Sequence, residues 1–315
     1  MRDTIVNVLK IGVSLALLLL LVWKIGWRET WETLRQADAR YLLAAWSLYL
    51  FSMLLRAYRW QVLLRIQKLE APLSRLTSLY FIGTFFNTVL PTGFGGDVVR
   101  MYELSKDSRH GAESVSTVLV DRLCGFVVLF IMASLALPFS YRIIPPLVGV
   151  AIVAITLLAL LGVCLAANDG VWAWLAHSPL LGSLLGTPRV EQFRVSIAAY
   201  RTWSITKALL ASLAFNVLLM ILNYLVALAL GVRISPWYFL VFIPIISFLL
   251  TLPVSFSGLG VREGGYVLLF GQAGVPHSLA LGMSLCIYFM TVATGLFGGL
   301  LYAFQGYRDL DRTTG

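Results

Sequence analysis

The stretch Pro91-Thr92-Gly93-Phe94-Gly95-Gly96-Asp97-Val98-Val99-Arg100 sets glycines, a carboxylate and a guanidinium directly after the apolar run Leu79 to Leu90. A second apolar run ends in the same way far downstream, in Pro253-Val254-Ser255-Phe256-Ser257-Gly258-Leu259-Gly260-Val261-Arg262, followed by Glu263. The two stretches align without a gap, pairing Leu90 with Leu252, Pro91 with Pro253, Phe94 with Phe256, Gly96 with Gly258, Val99 with Val261 and Arg100 with Arg262. Corresponding Gly/Pro-interrupted apolar segments in two halves of a membrane chain mark an internal repeat with a site between the halves. The plainer reading is a pair of ordinary loops, because Gly and Pro are common in membrane helices and in turns.

Composition sets the class. The 315 residues are 59% hydrophobic and 12% charged, with a mean hydropathy of +0.85, which no soluble globule of ordinary composition shows. The net charge of +9 would suggest nucleic acid in a soluble protein. Here the basic residues flank apolar runs and read as orientation signals and headgroup contacts, so no nucleic acid is expected. Cys124, Cys164 and Cys286 lie inside apolar segments without CxxC spacing, and His110, His177 and His277 are scattered. Neither a disulfide framework nor a metal site is indicated, and no cofactor is expected.

Along the chain, full spans are expected at Ile11 to Trp23, Tyr41 to Leu55, about Ser114 to Leu137, Leu147 to Ala167, Lys207 to Leu230 and Ser278 to Ala303. Trp27, Trp31 and Leu34 recur at helical spacing among charged residues, as do Val190, Phe193, Ile197 and Tyr200, which suggests helices lying in the interface. Arg56, Arg59, Arg65, Lys68 and Arg75 follow the second span and read as a cytoplasmic loop. Asn216 and Asn223 share one helix face and read as helix–helix contacts. If the two Gly-rich segments turn back as re-entrant hairpins, most Lys and Arg residues fall on the cytoplasmic side; if both cross fully, the two sides receive equal numbers.

The expected fold is therefore an all-α polytopic membrane protein, one transmembrane domain over 1–315 with about six full helices and two re-entrant hairpins in an inverted repeat. Its halves are about 1–137 and 143–305, with an interfacial linker at 168–203. The expected location is the plasma (inner) membrane, multi-pass, with both termini cytoplasmic.

Backbone that leaves helical geometry at membrane depth must be satisfied by protein or by water in a cavity. Each Gly-rich segment thus implies a polar hollow, in which glycine N–H groups and a helix start near Asp97 or Leu259 could face an anion. Arg100 and Arg262 would supply forked donors suited to phosphate. Asp121 and Arg122 lie well inside an apolar span, where charge normally faces a cavity or a partner. Asp97, Arg100, Asp121, Arg122, Arg262 and Glu263 are expected to cluster. A permanently closed ion-pair network is the structural alternative to a substrate site.

The pattern Asn87-x-x-Leu90-Pro91-x-Gly93-x-Gly95-Gly96-Asp97-x-x-Arg100, then Ser114-Val115 and Arg122, then Ser257-Gly258-Leu259-Gly260-x-Arg262-Glu263 resembles the flippase-like family built on the lysylphosphatidylglycerol synthase membrane domain. The likeness covers nearly the whole chain. It implies a protein that moves or modifies anionic or isoprenoid-linked lipids between leaflets, with Asn87, Gly93, Gly95, Gly96, Asp97, Arg100, Arg122, Ser257, Gly258, Gly260, Arg262 and Glu263 at the substrate. The soluble aminoacyl-transferase domain of the synthases is not in this sequence.

Three functions are open on this reading. The first is a translocase of an anionic lipid, with Asp97, Asp121 or Glu263 as proton carrier. The second is a glycosyl- or aminoacyl-lipid transferase with Asp97 or Glu263 as base. The third is a non-catalytic partner of lipid-synthesis enzymes.

Overall fold

A computed structural model describes residues 27–90, 94–108, 111–140, 144–166, 168, 170–171, 199–200, 205–251, 255 and 257–314, and all regular structure among them is helical. Ten helices follow in order: α1 Trp27–Arg35, α2 Ala39–Ile66, α3 Leu73–Val89, α4 Gly95–Ser108, α5 Gly111–Ser140, α6 Pro146–Ala166, α7 Ile205–Ala229, α8 Pro236–Leu249, α9 Val261–Gln272 and α10 His277–Thr314. Polar punctuation sets the boundaries. The Asp38 side chain accepts from the Arg40 amide to start α2, Pro72 precedes α3, and Pro236 opens α8 at the one helical turn where a missing N–H costs nothing.

Five segments are long and apolar enough to cross a bilayer: Ala39–Ile66, Glu113–Ser140, Pro146–Val163, Ile205–Ala229 and His277–Gln305. They coincide with five of the six expected spans, so the chain is an all-α, multi-pass membrane protein. The sixth, Ile11 to Trp23, lies outside the described residues, as does nearly all of the 168–203 linker. The short helix expected around Trp31 is α1; Thr33 and Leu34 pack it against Gly282 of α10.

One boundary departs from expectation. The α2 helix does not stop at Leu55 but runs on to Ile66, 28 residues in all from Ala39, so Arg56, Arg59 and Arg65 belong to the helix and not to a basic loop. Arg59 is buried. Its charge is held there by a carboxylate from another helix, a compensation that a local reading of the sequence cannot see.

Helices α3, α4, α8 and α9 are short, at 17, 14, 14 and 12 residues. At about 1.5 Å per residue none covers the ~30 Å of a hydrocarbon core. Instead they pair as two helical hairpins. Arg75 in the first turn of α3 donates to Glu103 near the end of α4 at 3.0 Å, and Phe239 early in α8 packs on Phe270 late in α9, 5.0 Å between ring centres.

The order long, short, short, long thus occurs twice, in α2–α5 and in α7–α10. Helices α2 and α7 run antiparallel: the Asp38 amide before α2 donates to Ala229 O at the end of α7, while Arg59 toward the other end of α2 donates to Ser212 near the start of α7. The hairpins lean on the opposite half, α3 against α10 and α8 against α5.

The α3–α10 contact is backbone-close. A Cβ on Gly298 would land on the Phe81 carbonyl, and one on Gly295 would touch Phe85 and Thr88. Small residues allow this approach where lipid provides no hydrophobic drive to bring helices together. Gly298→Val is expected to lower stability in detergent by about 1–3 kcal/mol through overpacking. Gly162→Val, on α6 with nothing within 4 Å of the added Cβ, should melt like the parent; thermal unfolding of the two variants checks it.

Candidate functional site

The turns of the two hairpins meet. The Ser257 hydroxyl donates to the Asn87 carbonyl at 3.0 Å, and the Asn87 side-chain oxygen accepts the Gly96 amide at 2.7 Å. Gly96 sits so close to α3 that a Cβ would occupy the Gly83 carbonyl. In the second turn Ser257, Gly258 and Gly260 all take positive φ, at 51°, 78° and 81°. For Ser257 that is an unfavourable conformation held by its surroundings, and it delivers the hydroxyl to the first hairpin.

Hinge amides were expected to face an anion; at each helix start one of them is taken by a side chain of the protein itself. Besides the Gly96–Asn87 bond, the Gly260 amide donates to Glu263 Oε2 at 2.6 Å. This is the half of a capping box that a glycine cap permits. Glu263 therefore sets its own carboxylate on the positive end of α9. Ser284 donates to its other oxygen at 3.3 Å.

Positive charge is supplied by side chains instead. Asp121 is fully buried on α5, accepting from Arg59 Nε at 2.6 Å, from Arg100 at 3.4 Å and from the Tyr80 hydroxyl. Arg100 also reaches Asp97 at 3.1 Å, and Asp97 pairs with Arg122. Arg100 lies between the rings of Trp60 and Tyr80, 4.1 and 3.7 Å from their centres. Four helices, α2, α3, α4 and α5, contribute to this network. Charges at such depth persist only when paired and hydrogen-bonded.

Of the six charged residues expected to cluster, Asp97, Arg100, Asp121 and Arg122 do so, and Arg262 and Glu263 stand apart. Arg262 donates to Ser257 O at 3.2 Å, lies 5.1 Å from the Tyr288 ring centre, and keeps a buried Nη1 without an acceptor. Gly95 and Gly258 are packed on Leu90 and Leu250, and Gly93 lies outside the described residues. Arg59 and Arg56 were missed as site residues. Their i, i+3 spacing on the helix face that carries the cluster is the signal that could have found them. Asn216 and Asn223 bind between helices, to Gly125 O at 3.1 Å and to the Tyr266 hydroxyl.

Asp121→Asn would leave Arg59 and Arg100 buried around a neutral side chain, at an expected cost of about 3–5 kcal/mol. Tyr80→Phe, which removes one donor from a carboxylate that keeps two others, should cost only about 1–2 kcal/mol. Chemical or thermal unfolding in detergent distinguishes the two; equal losses would contradict the assigned pairing.

Comparison with known proteins follows the same lines. The model of the lysylphosphatidylglycerol synthase TM region matches residues 7–299. A UPF0104 membrane protein of Pyrococcus horikoshii is 30% identical over 158 residues, 48% of this chain and 47% of the relative. A UPF0104 membrane protein of Methanothermobacter thermautotrophicus is 33% identical over 112 residues, 35% of this chain and 32% of the relative. The matched part of the chain thus spans about half the length of the first relative and about a third of the second. No solved structure matches. Because the family match runs over nearly the whole sequence, the chain belongs to the lysylphosphatidylglycerol synthase transmembrane-region family.

Proposed function

We propose that the protein moves a lipid with an anionic or isoprenoid-phosphate headgroup between leaflets, through a polar seam where two re-entrant hairpins of an inverted repeat meet. The observation that carries this reading is the junction of the hairpin turns, Ser257 on Asn87, beside a buried network richer in guanidiniums than in carboxylates. Flexible lipid tails would stay in the bilayer while the headgroup exchanges ion pairs with Arg122 and Arg262, and Arg100 holds the network together behind them.

Support for the repeat comes from the pattern of helix contacts. Exchanging α2 with α7, α3 with α8, α4 with α9 and α5 with α10 turns the set of contacts among these eight helices into itself: α3–α10 becomes α8–α5, α4–α5 becomes α9–α10, and α2–α10 becomes α7–α5. The antiparallel course of α2 and α7 supports an inverted relation. Continuing the alignment of Leu90 with Leu252 also pairs Ala133 and Ala136 with Gly295 and Gly298, small residues at the corresponding contacts. On this reading the basic residues Arg65, Lys68 and Arg75 favour the cytoplasm for the end where α2 stops and α3 starts, and both termini lie on that side of the plasma membrane.

Of the three candidate proton carriers, Glu263 is the one without an arginine partner among the described residues. Asp97 and Asp121 are each held by two guanidiniums. A second reading, a membrane platform for a lipid-synthesis enzyme, is favoured by the synthase in the family's description; stable co-purification with such an enzyme and no exchange by the isolated chain would select it.

In proteoliposomes, the purified chain is expected to accelerate exchange of a labelled anionic lipid. Arg122→Gln and Arg262→Ala should each slow that exchange roughly tenfold, the worth of one charged hydrogen bond. Wild-type rates for an Arg100→Ala/Arg262→Ala protein would remove the proposal.

A further inference from the structure

Arg56 borders the network but makes no ion pair within it among the described residues. It lies on α2 one turn before Arg59, its guanidinium over the rings of Tyr80 and Phe215, 4.6 and 5.4 Å from their centres. Its Nε is shut away from solvent without an acceptor. Ring faces attract a guanidinium but cannot accept its hydrogen bonds, so the buried Nε still lacks an acceptor. Arg56 shares the Tyr80 ring with Arg100, and Arg100 and Arg122 share Asp97, so Arg56 and Arg122 flank the same network. Phe94 lies 4.3 Å from the Arg122 guanidinium and is partly exposed, so this side of the network opens outward while Arg59 and Arg100 are sealed.

Among the described residues, four guanidiniums, Arg56, Arg59, Arg100 and Arg122, face two carboxylates, Asp97 and Asp121. In a low-dielectric site the unmatched charge is expensive, and a ligand carrying two negative charges would cancel it. A phosphodiester carries one. A phosphomonoester carries nearly two at neutral pH and presents three acceptor oxygens.

We propose that Arg56 and Arg122 together seat a doubly charged phosphomonoester headgroup in preference to a phosphodiester. This rests on the lipid-translocation reading for its ligand class and narrows it: the substrate is of the polyprenyl-phosphate or phosphatidate kind, with a terminal phosphate and no esterified alcohol. Planar guanidiniums from two helices then each offer forked donors to the phosphate oxygens, and the anion offsets the positive charge of both.

The test is competitive retention. The full chain is purified in mild detergent at about pH 8, where the second phosphate ionisation is complete. It is offered phosphatidate, phosphatidylglycerol and phosphatidylcholine with identical acyl chains, and bound lipid is read by native mass spectrometry. Phosphatidate should be held at least about tenfold more tightly than phosphatidylglycerol. Arg56→Gln should lower phosphatidate affinity roughly ten- to a hundredfold. Arg56→Lys, which keeps the charge, should retain most of the preference, and Arg28→Gln, at an exposed ion pair, should retain all of it.

Equal retention of the two anionic lipids, or an Arg56→Gln protein that melts normally and binds phosphatidate as before, would overturn the proposal. Displacement by inorganic phosphate at matched concentration would assign the site to a soluble dianion and overturn its lipid source. Because retention is separate from movement, a chain that holds phosphatidate but exchanges no lipid contradicts transport alone. One that exchanges lipid without preferring the monoester contradicts this assignment alone.

Discussion

Asp121 is the group on which the rest of the arrangement depends. A single carboxylate inside an apolar helix would be forced to take up a proton or leave the hydrocarbon, since the effective penalty for burying an isolated charge is several kcal/mol. Here α2 and α4 each bring an arginine to it and α3 brings a tyrosine hydroxyl. Those three helices and α5 are thereby fixed in one register. The aromatic rings of Trp60 and Tyr80 then enclose Arg100, so the same contacts that hold the helices also keep water from the inner part of the network.

The hairpin turns solve a different problem with the same economy. A helix that ends inside a bilayer leaves donors with no lipid acceptor. The turns satisfy them locally, Asn87 for Gly96 and Glu263 for Gly260. The consequence is a division of roles: backbone and carboxylates complete the scaffold, and guanidiniums outnumber carboxylates in the buried network. If the proposed anion binds there, it offsets that surplus, which a purely structural ion pair would not require.

Much of the helical frame is legible in the sequence, because long apolar runs admit few other structures in a membrane. The Gly- and Pro-broken segments are legible too, as breaks between short helices, although Gly95 and Gly96 themselves open α4. The charged network is legible only in part. Asp97 and Arg100, three apart, share a helix face. Asp121-Arg122 and Arg262-Glu263 look like pairs in one dimension, yet neighbours in a helix point about 100° apart and do not meet. Asp121 accordingly turns inward to Arg59 and Arg100 while Arg122 reaches Asp97, and Arg262 and Glu263 part company. Arg56 and Arg59 are misread as loop residues because their partners are supplied by α3, α5 and α7, far away in sequence.

The account stands on two hairpins that enter from opposite sides and meet at their turns, and sidedness tests that most directly. Single cysteines replacing Glu70, Lys106, Arg233 and His277, all exposed ends of hairpin segments or their flanks, can be placed in a protein whose native cysteines are changed to serine. Labelling with a membrane-impermeant maleimide in sealed, oriented vesicles should group Glu70→Cys with Lys106→Cys on one side and Arg233→Cys with His277→Cys on the other. Labelling of Glu70→Cys and Lys106→Cys from opposite sides would mean that the first hairpin crosses the membrane, and would contradict the account.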